Sequence, residues 1–184
     1  MRVLTEKFFN RPVLVVAREL LGKYLMRRQG KKIEKFMIIE VEAYSGLKDL
    51  ASHASRGKTN RNAPMFGNAG HWYIYFTYGM HWMLNAVTGP ENYPAAVLIR
   101  GVKTISGPGR LTNRLNIDKK YNGKDISFKT GLWISAPTES ERASLKKAFL
   151  SGKIKVKRTS RIGVSYAGPI WSKKPWRFLI DNLA

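Results

Sequence analysis

The sequence has 184 residues, no cysteine and a formal net charge of +21, from 33 lysines and arginines against 12 aspartates and glutamates. The lack of cysteine excludes disulfides, thiolate metal sites and a cysteine nucleophile, and three histidines without paired spacing argue against zinc. With 43% hydrophobic and 11% aromatic residues, the chain can bury a core as one domain over 1–184. Because we find neither a membrane-spanning apolar run nor a secretory signal, we expect an intracellular protein.

The positive charge is spread along the chain and is not confined to a tail. A folded, basic, aromatic-rich protein favours a polyphosphate partner, because each phosphate that it neutralises releases condensed counterions. An anionic membrane surface is the alternative, but the sequence offers no basic amphipathic helix to bind it. We therefore expect nucleic acid as the partner and no membrane binding.

The first predicted elements are a helix and a β-hairpin. Apolar residues recur at helical spacing from Val13 to Leu21, after Pro12 and before Gly22. Residues 24–28 and 33–44 favour strands, and the segment between them contains a glycine turn.

Irregular segments, further strands and one capped helix follow. Residues 45–70 are rich in Gly, Ser, Asn and Arg and predict a long loop, which in compact domains is usually functional. The aromatic segment 71–78 predicts a strand that Gly79 interrupts. Further elements are expected at 80–87 (strand or turn), 95–102 (strand), after a capping box at Thr138–Glu141 (helix), at 153–158 (strand) and at 176–180 (strand).

Glu42 is the sharpest candidate for a catalytic residue. Alternation along the predicted strand 33–44 places it on one face with Ile38, Glu40 and Tyr44. A carboxylate among large apolar groups is either paired or used in chemistry. The alternative is a glutamate on an edge strand that faces water. Two carboxylates on one face would also allow a division of acid and base roles.

Aromatic residues cluster in the same part of the sequence, at Tyr44, Trp72, Tyr73, Tyr75, Tyr78 and Trp82. They fit either a hydrophobic core or a stacking cage for a nucleobase. Strand alternation places Tyr73 and Tyr75 on one face and Tyr78 on the other, where Tyr78 could enter the minor groove of a duplex. The segment SGPGRL at 106–111 predicts a turn into a helix, but the preceding helix of a helix-hairpin-helix is missing.

Seven ordered segments resemble the alkyladenine (3-methyladenine) DNA glycosylase family. They are ARELLGKYL (17–25), IEVEAY (39–44), HASRGKTNRNAPMF (53–66), YIYFTYGMHWMLN (73–85), VLIR (97–100), GPGRL (107–111) and RIGVSYAG (161–168). The resemblance covers nearly the whole chain. It implies a single mixed α/β domain with a curved, mainly antiparallel β-sheet bordered by short helices, and a protruding hairpin at 73–85 that inserts into DNA.

The resemblance also implies how the reaction is catalysed. Glu42 matches the general base that deprotonates the attacking water, and Glu40 then has a structural role. Arg100 matches an arginine that helps to hold this water, together with a backbone carbonyl near Ile162. Since Glu42 is expected among apolar groups, we predict that its pKa is raised.

Five further positions match residues that recognise the damaged base. Tyr44 and Tyr75 would stack on the flipped base, and the main chain of His53 would test its Watson–Crick edge. Asn85 would crowd the purine 2-position and disfavour guanine. Tyr78 would fill the gap that the flipped nucleotide leaves.

The implied activity is that of a monofunctional DNA glycosylase of base excision repair, acting on double-stranded DNA that contains alkylated or deaminated purines. The substrates would include 3-methyladenine, hypoxanthine and ethenoadenine, and an aromatic cage would favour cationic bases. We expect a monomer with no metal and no organic cofactor. The alternatives are a non-catalytic nucleic-acid-binding module and a helix-hairpin-helix glycosylase, which would be largely helical.

Overall fold

An antiparallel β-sheet of nine strands forms the centre of the fold within residues 1–182, which the computed structural model describes. Leu183 and Ala184, the end of the predicted domain 1–184, lie outside the described residues. The strands are β1 (Tyr24–Gln29), β2 (Lys32–Ser45), β3 (Trp72–Thr77), β4 (His81–Val87), β5 (Ala95–Val102), β6 (Ile105–Ser106), β7 (Leu132–Ser135), β8 (Lys155–Thr159) and β9 (Arg177–Asp181). The main order is β3-β4-β5-β2-β1-β7, with β6 beside β5, β9 beside β2 and β8 beside β9.

Short helices border the sheet, which confirms the predicted mixed α/β class. In the described part of the chain they are α1 (Glu6–Phe9), α2 (Val13–Leu20), α3 (Pro108–Arg114), α4 (Glu139–Leu150) and α5 (Gly168–Ser172). Single turns of 3₁₀ helix lie at His53–Arg56, Ala63–Phe66, Lys119–Tyr121, Phe128–Thr130 and Ser165–Ala167. A largely helical architecture is therefore wrong for this chain. No helix within residues 1–182 has the length and apolar character needed to cross a bilayer.

A bulge in β2 bends the sheet and changes which residues share a face. Between Ile38 and Val41 the pairing of β2 with β5 is irregular, with one extra residue first in β2 and then in β5. An extra residue both bends its strand and reverses the alternation of that strand. Ile38 therefore lies in the main core with Val41 and Ala43, each fully buried. The expectation that Ile38 shares a face with Glu42 is wrong, because simple alternation does not include the bulge.

Strands β3 and β4 pair from Trp72 opposite Ala86 to Thr77 opposite His81, and residues 78–80 join them. Of the segment 80–87, residues 81–87 thus continue the sheet, and residues 85–87 pair on their other side with β5. Tyr73, Tyr75 and Tyr78 of this hairpin line the same cavity as Tyr44 of β2. Its insertion into DNA stays a prediction.

Candidate active site

A cavity of about 290 Å³ lies between the β3–β4 hairpin, β5, the loop after β2 and the segment 162–166. This volume is near the lower end of the roughly 300–1,000 Å³ usual for ligand pockets. Six of the seven predicted site residues line it, namely Tyr44, His53, Tyr75, Tyr78, Asn85 and Arg100. The seventh, Glu42, lies directly behind the wall of the cavity.

Glu42 is completely buried, with 0% of its surface exposed. The Ile162 amide donates a hydrogen bond to its Oε1 at 2.7 Å, and the Tyr44 hydroxyl donates one to its Oε2 at 2.8 Å. Nη1 of Arg100 lies 3.4 Å from the same Oε2. Burial raises the pKa of Glu42, as expected, while Arg100, the Ile162 amide and Tyr44 oppose this shift by stabilising the carboxylate.

Strands flank Glu42 on both sides, since it lies opposite Leu98 of β5 and Arg177 of β9. The alternative of an edge glutamate that faces water is therefore wrong. The contact of Glu42 with the Ile162 amide is an additional feature, which was not predicted from the sequence. This arrangement holds a carboxylate in a nearly dry site without neutralising it completely, as suits a general base. That a backbone carbonyl near Ile162 helps to hold the water stays a prediction.

Glu40 fixes the guanidinium of Arg100. Its Oε1 accepts hydrogen bonds from Nε of Arg100 at 3.0 Å and from Nε of Arg177 at 2.6 Å. Arg100 therefore presents Nη1 to Glu42 while its Nε is held by Glu40. This geometry fits a structural role for Glu40.

Hydrogen bonds also fix the base-pocket candidates. Nδ1 of His53 lies 2.9 Å from the Tyr73 hydroxyl, and the rings of His53 and Tyr75 meet edge to face at 4.4 Å between centroids. Burial, and to a smaller extent Arg61, lowers the pKa of His53, so its imidazole is neutral at neutral pH. The Asn85 side-chain amide donates to the main-chain carbonyls of Tyr73 and Met83 within β3 and β4.

Tyr78 occupies the tip of the β3–β4 hairpin, where 76% of its surface is exposed. Its φ of 53° is in the left-handed region, which costs a residue other than glycine about 1–2 kcal/mol. An exposed aromatic residue held in this conformation beside the cavity indicates a functional role. Because Tyr78 belongs to the turn and lines the same cavity as Tyr75, strand alternation does not describe its direction.

A buried ion pair next to the cavity was not foreseen from the sequence. Nη1 and Nη2 of Arg161 contact Oδ2 and Oδ1 of Asp49 at 2.6 and 2.8 Å, and both side chains have 0% exposure. Arg161 belongs to the RIGVSYAG segment, but no local pattern pairs residues 112 positions apart.

Comparison with known proteins identifies the family of this chain. The model of the family described as "Methylpurine-DNA glycosylase (MPG)" matches residues 7–184. A relative from Wolbachia pipientis wMel, provisionally named a 3-methyladenine DNA glycosylase, is 42% identical over 96% of this chain and 90% of its own length. Relatives with the same provisional name are 39% identical in Methanocella arvoryzae, over 99% of this chain and 94% of the relative, and 38% identical in Anaeromyxobacter sp. strain Fw109-5, over 98% and 90%. The chain therefore belongs to the methylpurine-DNA glycosylase family.

Proposed function

We propose that this protein is a monofunctional DNA glycosylase that flips damaged purines out of double-stranded DNA and hydrolyses the N-glycosidic bond. The observation that carries the proposal is a fully buried carboxylate, Glu42, behind an aromatic cavity of a protein with a net charge of +21. The substrates we propose are 3-methyladenine, hypoxanthine and ethenoadenine. The enzyme would act inside the cell, where DNA is found.

Recognition begins with extrusion, since a base inside the helical stack cannot reach a cavity. Unstacking costs a few kcal/mol, and less for a poorly paired base. Tyr78 at the exposed hairpin tip would fill the gap and offset part of this cost. The flipped base would stack between Tyr44 and Tyr75, whose electron-rich rings attract a cationic alkylated base.

Hydrolysis would then use ionised Glu42 as a general base. Glu42 takes a proton from a water molecule, whose oxygen forms the new bond to the sugar C1′ as the C1′–N bond breaks and the base leaves with the electron pair. The negative charge of Glu42 stabilises the positive charge that develops on the sugar. Arg100, fixed by Glu40, would help to hold the water.

The Glu42→Gln variant tests the proposal. In single-turnover assays on duplexes with each of the three lesions, cleavage should fall by orders of magnitude, about 10²-fold or more, while DNA binding is unchanged or tighter. The matched control is Glu34→Gln, because Glu34 lies in the same strand but pairs with Lys32 and Arg114. Unchanged cleavage by Glu42→Gln, or no release of any of the three bases by the wild type, would defeat the proposal. A protein that binds damaged DNA without cleaving it would instead be a binding module.

The monofunctional mechanism has its own test. Within residues 1–182, no lysine is among those that line the cavity, which supports attack by water over a Schiff base with the sugar. Borohydride treatment during the reaction should therefore give no covalent adduct with DNA. As expected from the sequence, we also propose that the enzyme acts as a monomer.

A further inference from the structure

The buried pair of Arg161 and Asp49 joins three segments that meet at the cavity. Besides its two contacts with Asp49, Arg161 donates to the main-chain carbonyls of Ala43 at 2.9 Å and Trp171 at 3.3 Å. Asp49 accepts from the main-chain amides of Ser45 and Ala51, both at 3.1 Å. The pair thus fastens the end of β2, the loop that follows it and the segment 161–171 to one another.

Two of the groups that contact Glu42 are direct neighbours of Arg161. Ile162 is the next residue in the chain, and its amide donates to Oε1 of Glu42. The guanidinium of Arg161 also lies over the ring of Tyr44, at 4.8 Å from the centroid, and the Tyr44 hydroxyl donates to Oε2 of Glu42. Arg161 does not itself line the cavity, so it covers a face of the Tyr44 ring that a base would not occupy.

We propose that Arg161, held by Asp49, is a positioning residue for bond cleavage, which fixes the Ile162 amide and the Tyr44 ring on the catalytic carboxylate. The inference rests on the proposed function of Glu42. Neither Arg161 nor Asp49 touches a reacting atom. Their effect on the reaction runs through two hydrogen bonds, one to each oxygen of Glu42.

Stability alone is a weak explanation for this pair, because a buried ion pair often stabilises a fold no better than apolar residues of similar volume. The pair is better explained by the fixed orientation that its hydrogen bonds give to the guanidinium. A planar guanidinium binds both carboxylate oxygens at once and still donates to the two carbonyls, whereas an ammonium group cannot form this fork. Small displacements of a catalytic group have large effects on rate, with about 10²-fold lost for a shift of about 1 Å.

Loosening the pair should also change the titration of Glu42. The titratable and charged groups around this carboxylate are Glu40 and Tyr44 of β2, Tyr75 of β3, Arg100 of β5, Arg177 of β9 and Arg161 itself. Hydrogen bonds from the Ile162 amide and Tyr44 lower the pKa of Glu42 against the effect of burial. If both bonds lengthen, the pKa of Glu42 rises, and cleavage is lost at a higher pH as the solution is acidified.

The Arg161→Lys variant tests the proposal, with Arg11→Lys as the control because Arg11 forms a similar two-point contact with Glu19 on the surface. At saturating enzyme, Arg161→Lys should cleave at least about tenfold more slowly, with its affinity for lesion DNA within about threefold of the wild type. The acid limb of its rate profile should lie at higher pH. Exchange of the Ile162 amide hydrogen should be faster, while Arg11→Lys matches the wild type in all four measurements.

Melting curves keep these results separate from unfolding. If Arg161→Lys does not fold, the double variant Asp49→Asn with Arg161→Gln replaces it, since it leaves no unpaired buried charge. A folded variant with wild-type cleavage, acid limb and Ile162 exchange would overturn the proposal, and so would a rate loss that follows a loss of DNA affinity. If the wild type cleaves no lesion, the proposed function fails. Hydrogen exchange of the Ile162 amide in the folded variant still tests whether Arg161 positions that amide, and an unchanged exchange rate would overturn the inference.

Discussion

At the scale of single residues, the candidate site depends on the balance around Glu42. Burial favours its protonated form, whereas the positive charge of Arg100 and the hydrogen bonds from the Ile162 amide and Tyr44 favour its ionised form. The net pKa of Glu42 lies above the ordinary value of 4.5. A general base works only when ionised, so cleavage should be lost as the pH falls through this raised pKa and should reach a plateau above it.

The Tyr44→Phe variant tests this balance, because it removes the hydroxyl that donates to Glu42 at 2.8 Å and keeps the aromatic ring. Since this hydrogen bond lowers the pKa of Glu42, the acid limb of the variant should move to higher pH. Single-turnover rates between about pH 5 and pH 8 measure the shift. Tyr93→Phe is the control, because the Tyr93 hydroxyl shares a hydrogen bond with the hydroxyl of Ser45 and not with Glu42, and Tyr93 is not among the residues that line the cavity. An acid limb that Tyr44→Phe leaves in place would contradict the assignment of Glu42.

At the scale of elements, helix α4 begins at the predicted capping box, and one residue of that box also bonds the helix to the sheet. The capping box is present, with the Thr138 amide donating to Oε2 of Glu141 at 2.8 Å. The other oxygen of Glu141 accepts from Tyr24 of β1 at 3.1 Å and from Lys35 of β2 at 2.5 Å. These bonds, that from Lys35 above all, lower the pKa of Glu141 to about 2. One side chain therefore both starts the helix and fastens it to the sheet.

The pH dependence of stability should reveal this contact. Because the folded-state pKa of Glu141 is lowered, its contribution is present above the ordinary value of 4.5 and is lost as the pH falls toward about 2. Glu141→Gln should therefore be less stable than the wild type at neutral pH, and the difference should shrink in acid. Urea unfolding of both proteins at neutral pH and in acid measures this difference in the free energy of unfolding. Glu139→Gln is the control, because Glu139 is in the same helical turn but pairs with Arg142 of the same helix and not with the sheet in the part of the chain that the structure describes. A difference that does not depend on pH would contradict the role of the Glu141 charge.

The elements that the sequence predicts correctly are those with strong local signals. Helix α2 has its apolar spacing, α4 its capping box and β3 its aromatic run. Elements without such a signal were missed, including the four-residue α1 and β7 and the five-residue α5. The bulge in β2 is seen in its pairing with β5. The alternation of residues within one strand carries no information about that pairing, so it could not predict the bulge.

The candidate site likewise has residues that a local sequence pattern predicts and contacts that no local pattern predicts. A carboxylate and several tyrosines close together in sequence indicate Glu42, Tyr44 and Tyr75, and the fold places Tyr44 and Tyr75 in the wall of one cavity, with Glu42 bonded to Tyr44 behind that wall. The contacts of Arg161 with Asp49, and of the Ile162 amide with Glu42, join residues 112 and 120 positions apart. Such contacts arise from tertiary packing, and no spacing rule along a single chain predicts them.

At the scale of the whole molecule, the proposed function assigns affinity and selectivity to different features. The net charge of +21 would supply affinity for DNA, and the small cavity would supply selectivity for a damaged base. The charge acts on the phosphates of any duplex, and the affinity it provides falls steeply with salt. Under the proposed function, the cavity would act on one base, and its stacking and hydrogen bonds would be made with little net change in the number of phosphates neutralised. General DNA affinity should thus depend on salt far more than the preference for a lesion does.

Titrations of the cleavage-deficient Glu42→Gln variant with matched damaged and undamaged duplexes test this division. Between about 50 mM and 200 mM salt, both affinities should fall by about 10³-fold or more if the protein neutralises several phosphates. The two plots of log affinity against log salt should be parallel, so the ratio of the affinities stays nearly constant. A preference for the lesion that disappears as fast as the affinities themselves would mean that phosphate contacts, and not the cavity, distinguish damaged DNA. The buried carboxylate would then sit beside a pocket that takes no part in recognition.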